Sequence, residues 1–137
     1  MNKPAKKILL AIRSADLPAV AAVLGDGFDV VVSHRLEEAK TVLTAEIGLI
    51  ACGVHFDGGM LFELLNAARS NPATRDTPFF VLLKEKKGYS QPIIDGIRSA
   101  SKLLGATDFI DLLEMARELG EEGAKEVLRT GIREILN

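Results

Sequence analysis

The chain has few of the residues from which disulfides, metal clusters and membrane spans are built. Its 137 residues include one cysteine, two histidines and no tryptophan. A single cysteine excludes an intrachain disulfide and a thiolate metal cluster. The apolar run after the basic N-terminus covers only residues 8–12, which is much shorter than the roughly 20 residues of a membrane span. We therefore expect a cytoplasmic protein.

The chain also lacks a strong charge of either sign. Charged residues make up 26% of it, apolar residues 47%, and the formal net charge is -2. These values are typical of a soluble globular domain and give no sign of a nucleic-acid partner. The length suits one domain over residues 1–137.

The glycine-rich motifs that hold phosphates are missing as well. Neither GxGxxG nor GxxxxGK[ST] occurs, so the sequence does not favour a dinucleotide or P-loop site. A flavin site would need more hydroxyl groups and glycines after the first strand than Ser14 alone provides. We interpret Gly53, Gly58 and Gly59 as turn residues and predict no cofactor.

Short apolar runs alternate with segments of helical period along the chain. Buried parallel strands are continuous apolar runs of this kind, and amphipathic helices between them complete a repeating βα pattern. The predicted strands are Lys7 to Ile12, Phe28 to Ser33, Ile47 to Cys52, Pro78 to Leu83 and Thr107 to Ile110. The predicted helices are Asp16 to Leu24, Leu36 to Ala45, Met60 to Ser70 and Pro92 to Leu104. The pattern predicts an α/β fold with a five-stranded, doubly wound parallel sheet of flavodoxin-like type.

The C-terminal segment, residues 112–137, is longer than one helix requires. Gly120 and Gly123 predict a break or bend near Glu121. The apolar residues of its last part share one side, so we expect this part to pack on the domain or on another subunit.

Three segments together resemble a response-regulator receiver domain. They are GLIACGVHFDGGMLFELL from Gly48, NPATRDTPFFVLL from Asn71 and GATDFI from Gly105. The resemblance covers nearly the whole chain and implies a single (βα)5 domain. It also implies a role in two-component signalling.

The residues at the receiver's active positions are all changed. The acidic pair after the first strand falls on Ile12 and Arg13, and the phosphoacceptor aspartate falls on Gly53. The switch hydroxyl falls on Leu83 and the lysine after the fifth strand on Leu112. Magnesium needs hard oxygen ligands and an aspartyl phosphate needs a carboxylate, so this alignment predicts no metal, no phosphorylation and no enzymatic activity.

Other polar residues at the carboxyl edge of the predicted sheet leave two alternatives open. Arg13, Ser14 and Lys84, with Asp57 and Asp111 nearby, would bind a small anion or metabolite. In the other alternative, Arg13 pairs with Asp57 or Asp111 and replaces the metal by a fixed ion pair. Carboxylates near this edge, Asp16 included, would rebuild a site only if the alignment slips by a residue.

Cys52, His34 and His55 raise the question of a zinc or thiol site. A structural zinc site takes four ligands and a catalytic one three, and these residues come from different loops. A cysteine that ends a buried strand is usually an apolar filler. A small enzyme that uses Cys52 or His55 is therefore the third and least favoured hypothesis.

The favoured hypothesis is a non-phosphorylatable receiver that acts by protein interaction. Its partner would be a histidine kinase, a phosphotransfer protein or a regulatory protein, and the resemblance places the contact on the fourth helix, fifth strand and fifth helix. The apolar candidates for this interface, and for a possible homodimer, are Ile93, Ile94, Ile97, Phe109 and Leu113.

Overall fold

Five parallel strands form one sheet in the order β2-β1-β3-β4-β5. The structure is a computed structural model that describes residues 6–86 and 88–137. The strands are β1 (Lys7–Ala11), β2 (Val30–Ser33), β3 (Ile47–Gly53), β4 (Phe79–Leu83) and β5 (Asp108–Asp111). The helices are α1 (Leu17–Leu24), α2 (Leu36–Thr41), α3 (Leu61–Ser70), α4 (Gln91–Leu103) and α5 (Leu112–Leu136). The prediction of a doubly wound parallel sheet is confirmed.

Helices cover both faces of the sheet, because the central strands are apolar on both sides. One core lies under α2, α3 and α4 and includes Leu9, Ile50, Leu64 and Ile94. The other lies under α1 and α5 and includes Leu10, Leu49, Val20 and Leu128. Every residue of β4 is buried, as expected for a strand in the interior of a parallel sheet.

The ends of the elements differ from the predicted ends by a few residues. Strand β2 begins at Val30 rather than Phe28, and α2 ends at Thr41 rather than Ala45. The chain turns after Thr41, where the hydroxyl of Thr44 accepts a hydrogen bond from the Glu46 amide at 3.3 Å. This local bond offers the backbone an alternative to another helical turn.

The C-terminal segment is broken where the sequence predicts it. Gly120 has φ 75° and ψ 163°, so residues before and after it form two helical pieces within α5. Ala124, Leu128 and Ile132 of the second piece are buried. The guanidinium of Arg129 donates hydrogen bonds to the Ala22 and Val23 carbonyls near the end of α1, so this piece packs on its own domain.

The topology places all five strand-to-helix loops at the same edge of the sheet. In parallel α/β sheets this carboxyl edge is the usual place of a site. Within the described residues, no helix is long and apolar enough to cross a membrane.

Candidate functional site

Four charged side chains meet at the carboxyl edge, between the ends of β1 and β4. Arg13 donates from Nε and Nη2 to the two carboxylate oxygens of Asp16, at 2.9 and 3.0 Å. Its Nη2 also donates to Glu85 Oε1 at 3.0 Å, and Lys84 Nζ lies 3.5 Å from Asp16 Oδ1. We call these four residues the edge cluster. Two cations and two anions make it formally neutral.

Asp16 is the most deeply placed member of the edge cluster. Only 7% of its side chain is exposed, against 34% for Arg13 and 39% for Glu85. Burial alone would raise the pKa of Asp16, but the hydrogen bonds and charges of Arg13 and Lys84 outweigh it and leave this pKa below its ordinary value. The bond to Asp16 raises the pKa of Arg13. Arg13 and Asp16 therefore each stabilise the charged form of the other.

Apolar side chains lie beneath the edge cluster. Ile12 is 1% exposed and Leu83 is fully buried, while Leu112 is partly buried against the second core. A Cβ atom added at Gly53 would lie 3.3 Å from Ile12 Cγ2, which is a tight contact. The space beside Gly53 is thus filled by the Ile12 side chain rather than by carboxylate oxygens, and these residues offer no ligand for a metal.

Hydrogen bonds join the neighbouring loops of the edge to one another. His34 Nδ1 lies 2.8 Å from the Ile12 carbonyl oxygen. Asp57 accepts a bond from the Leu36 amide at 2.9 Å, and His55 Nε2 lies 3.2 Å from the Glu85 carbonyl oxygen. The His55 ring also stacks on Tyr89, with 4.9 Å between ring centroids. Together with the edge cluster, these contacts fasten the loop after β4 to the loops after β1 and β3.

Asp57 and Asp111 form hydrogen bonds or ion pairs with residues other than Arg13. Asp57 has φ 44°, an uncommon left-handed conformation for a non-glycine residue that aspartate tolerates better than most residues. Asp111 caps α5 by accepting from the Glu114 amide at 3.0 Å and lies 3.8 Å from Lys86 Nζ. The prediction that Arg13 pairs with Asp57 or Asp111 is therefore wrong, because Asp16 and Glu85 hold its guanidinium.

Ser14 and Lys84 are not equivalent in the structure, although the sequence groups them. Ser14 is exposed and begins a 3-10 helix, Ser14–Asp16. The N-cap residues are Arg13 for this helix and Asp16 for α1, and neither side chain makes a capping bond. Lys84 belongs to the edge cluster, where Asp16 binds it. Arg13 and Lys84 thus already have carboxylate partners at the place where the sequence suggests an anion.

Cys52 lies inside the sheet and away from solvent. It is fully buried, and this burial raises the pKa of its thiol well above the ordinary value. A buried thiol with a raised pKa is a poor nucleophile. No group of three or more His, Cys, Asp or Glu side chains in residues 6–86 and 88–137 is arranged to hold a metal ion.

The surface of α4, β5 and the start of α5 carries most of the residues predicted to contact a partner. Ile93 is 48% exposed and Leu113 is 51% exposed, while Ile97 and Phe109 are partly buried against the core. The Arg98 guanidinium carbon lies 4.4 Å from the centroid of the Phe109 ring. Ile94 is fully buried in the core, so the prediction that it belongs to this surface is wrong. Its side chain faces the sheet, whereas that of the adjacent Ile93 is exposed.

Comparisons with solved structures identify the fold. The chain is a flavodoxin-like α/β domain, and the structures similar to it are receiver domains. The phosphorylated cyanobacterial phytochrome response regulator RcpA matches with a TM-score of 0.67 and 17% identity, over 97% of this chain and 94% of that chain. The chemotaxis response regulator CheY4 of Vibrio cholerae matches with 0.61 and 21%, over 91% and 98%.

A further match is the signal receiver domain of a two-component histidine kinase from Clostridium thermocellum, with a TM-score of 0.62 and 18% identity, over 98% of this chain and 99% of that chain. Neither the models of protein families nor the curated proteins gave a match. The resemblance found in the sequence is thus supported at the level of the fold, and the chain has the receiver fold over nearly its whole length.

Sequence reasoning missed two members of the edge cluster as partners of Arg13. Asp16 follows Arg13 by three residues, a spacing that brings side chains together in a helical turn. Glu85 lies 72 positions away and only the fold brings it near. The spacing of Arg13 and Asp16 was the one local signal available.

Proposed function

We propose that this protein is a receiver-fold interaction module of two-component signalling that does not switch by phosphorylation. A working receiver holds a metal and a phosphoryl group at the carboxyl edge, next to the loop after β4. Here that loop is held by charges belonging to the chain itself. The protein would act by its shape and surface, as a fixed partner of other signalling proteins.

The edge cluster is the observation that carries this proposal. Lys84 and Glu85 stand at the start of the loop after β4, and both pair with residues of the loop after β1. Because the pairs are complete without a ligand, the loop needs neither metal nor phosphate to keep its position. The apolar contact of Ile12 with Gly53 supports the same proposal, since it leaves no acceptor there.

The anion-sensor alternative gains no support from these contacts. An anion at this edge would have to displace Asp16 from Arg13 and Lys84, and Asp16 is nearly buried. Breaking such a pair leaves uncompensated charges and is costly.

The candidate surface for a protein partner is formed by α4, β5 and the start of α5. It combines the exposed Ile93 and Leu113 with the Arg98–Phe109 pair. Arginine and aromatic residues are enriched in protein interfaces. The proposed partner is a histidine kinase, a phosphotransfer protein or a regulatory protein of such a pathway.

The proposal is tested by capture of partners from the cells that make the protein, with two matched surface variants. Leu113→Asp places a charge on the candidate surface, and Val32→Asp places one on β2, where the native side chain is 39% exposed. We expect a histidine kinase or phosphotransfer protein to be retained by the wild type and by Val32→Asp, and lost with Leu113→Asp. Retention of no such signalling protein, or equal retention by both variants, would contradict the proposal.

A further inference from the structure

Strand β2 is an open edge of the sheet. Among the described residues it pairs with β1 and with no other strand. The Ile8 amide of β1 donates to the Asp29 carbonyl at 2.9 Å, and the backbone groups of a strand alternate in direction from one residue to the next. The amides and carbonyls of Val30 and Val32 therefore point away from β1. They offer donors and acceptors to a strand of another chain.

The sequence of β2 does little to protect this edge. Edge strands commonly avoid pairing with other chains through a lysine, a proline or a bulge. β2 reads VVVS, without a charge or a proline, and it pairs with β1 in continuous register. Its valines favour extended backbone, and Val32 is 39% exposed. Only the shortness of the strand limits its pairing with a second chain.

The helix next to this edge presents small, uncharged side chains. α1 connects β1 to β2 and packs over them through Val20 and Leu24. Its exposed residues are Pro18, Ala19, Ala21 and Ala22. If two β2 edges joined, the two α1 helices would lie about two strand spacings apart, roughly 10 Å. This is the distance at which helices pack against each other, so α1 does not keep the two edges apart.

The charges on either side of β2 complement each other in an antiparallel pair. Asp29 precedes the strand and Arg35 follows it, and both are exposed. The backbone at Arg35 is still extended, with φ -129° and ψ 145°. A two-fold axis at Val31 sets Val30 of one copy opposite Val32 of the other, so the outward amides and carbonyls of both residues are bonded. In this register Asp29 lies diagonally across from Arg35 of the other copy, within reach of a long side chain.

We propose that two copies of this chain associate through antiparallel pairing of their β2 strands, which joins the two sheets into one. Each copy supplies both halves of the contact, as a two-fold symmetric interface requires. Two short strands cover less than the roughly 800 Å² per partner of a standard interface, so the dimer forms weakly and depends strongly on concentration. β2 and β5 are opposite edges of the sheet, so the inference depends neither on the proposed partner surface nor on the signalling role.

The first test is a charge swap measured by sedimentation equilibrium from micromolar to millimolar protein. Asp29→Arg and Arg35→Asp each set like charges across the strand pair, and we expect each to weaken the dimer at least fivefold. The double variant restores opposite charges in reverse order and should associate within threefold of the wild type. Glu63→Arg is the matched control, because it makes the same change of charge at an exposed residue of α3, and it should leave the dimer unchanged.

Amide hydrogen exchange then identifies the edge that is used. The amides of Val30 and Val32 should exchange at least threefold more slowly in millimolar than in micromolar protein, whereas the amide of Val31, which points to β1, should be protected at both concentrations. A wild type that stays monomeric at millimolar concentration would overturn the inference. So would a dimer in which the Val30 and Val32 amides gain no protection, because such a dimer would use a different surface. Weakening by both single charge changes without recovery in the double variant would contradict the pairing of Asp29 with Arg35.

Discussion

Asp16 is the residue on which the carboxyl edge most depends. It joins Arg13 and Lys84, which come from two different loops, and its own side chain is nearly buried. Removal of the Asp16 carboxylate would leave the cationic side chains of Arg13 and Lys84 facing each other. The cost of removing it is therefore larger than the value usually found for a surface ion pair.

Asp16→Asn should lower the free energy of unfolding by about 2 kcal/mol, because it leaves Arg13 and Lys84 without their shared partner in a partly buried site. Urea denaturation of the two proteins measures this difference. Asp26→Asn serves as the control, since Asp26 is exposed, and should change the stability by less than about 0.5 kcal/mol. Equal effects of both substitutions would show that the edge cluster contributes nothing to stability.

The same residue predicts a dependence of stability on pH. The pKa of Asp16 is lower in the folded protein than its ordinary value, because its bonds to the cations outweigh its burial. Its contribution is therefore present above the unfolded pKa, about 4, and is lost as the pH falls through the folded pKa. The difference in stability between the wild type and Asp16→Asn should be constant from pH 7 to pH 5 and shrink below about pH 4. A difference that grows on acidification would contradict this sign.

The buried hydroxyl of Ser101 provides a second prediction about stability. It is 1% exposed, and its hydroxyl has no hydrogen-bond partner among the described residues. A buried hydroxyl without a partner destabilises the folded state, and alanine is the better helix former. Ser101→Ala should raise the free energy of unfolding by about 1 kcal/mol. A loss of stability in thermal and urea denaturation would mean that the hydroxyl has a partner in solution.

The sequence predicts the ends of the central strands better than the contacts between the loops that follow them. Ile12, Gly53 and Leu83 are strand-end residues whose positions follow from the apolar runs. The partner of Arg13 does not follow from any run, because Asp16, Asp57, Glu85 and Asp111 all lie at the same edge. Only loop geometry decides among these carboxylates, and loop geometry depends on long-range packing.

At the scale of the elements, α5 shows how one glycine sets the course of a long segment. The first piece, from Leu112, is capped by Asp111, and the second packs on α1 through Leu128 and Ile132. Gly120 between them has a positive φ that residues with a Cβ rarely adopt. A straight helix of this length would continue in the direction of the first piece and lose the packing of the second.

Gly120→Ala should therefore destabilise the protein by about 1 kcal/mol, because alanine does not readily adopt the conformation of Gly120. Gly131→Ala is the comparison within the same helix, since Gly131 lies in regular helix with open space, and it should stabilise by about 0.5 kcal/mol. Both values come from urea denaturation. Stabilisation by both substitutions would indicate that α5 is straight in solution.

The five strands and the first four helices could be predicted from periodicity, because each element buries an apolar face of its own. Their ends could be predicted less well. The end of α2 depends on a turn around Thr44, which competes with a continuing apolar pattern at Val42 and Leu43. Such competition is decided by individual hydrogen bonds, and the pattern of apolar residues does not contain them.

In the molecule as a whole, the receiver fold is present with an ion-paired cluster at its carboxyl edge. The two cores that stabilise the fold are built from apolar side chains of the strands and helices and include none of the four charged residues of the edge cluster. The side chains at this edge can therefore differ while the sheet stays the same. This independence is why similarity in fold does not establish function.

An amide NMR titration with magnesium and a beryllofluoride phosphate mimic probes the carboxyl edge directly. We expect the amide signals of Gly53, Lys84 and α4 to keep their positions throughout, because the charges of the edge cluster are already paired with one another. Saturable, magnesium-dependent shifts of these amides would contradict it, since they would show that carboxylates at this edge bind the metal and that the loop after β4 still responds.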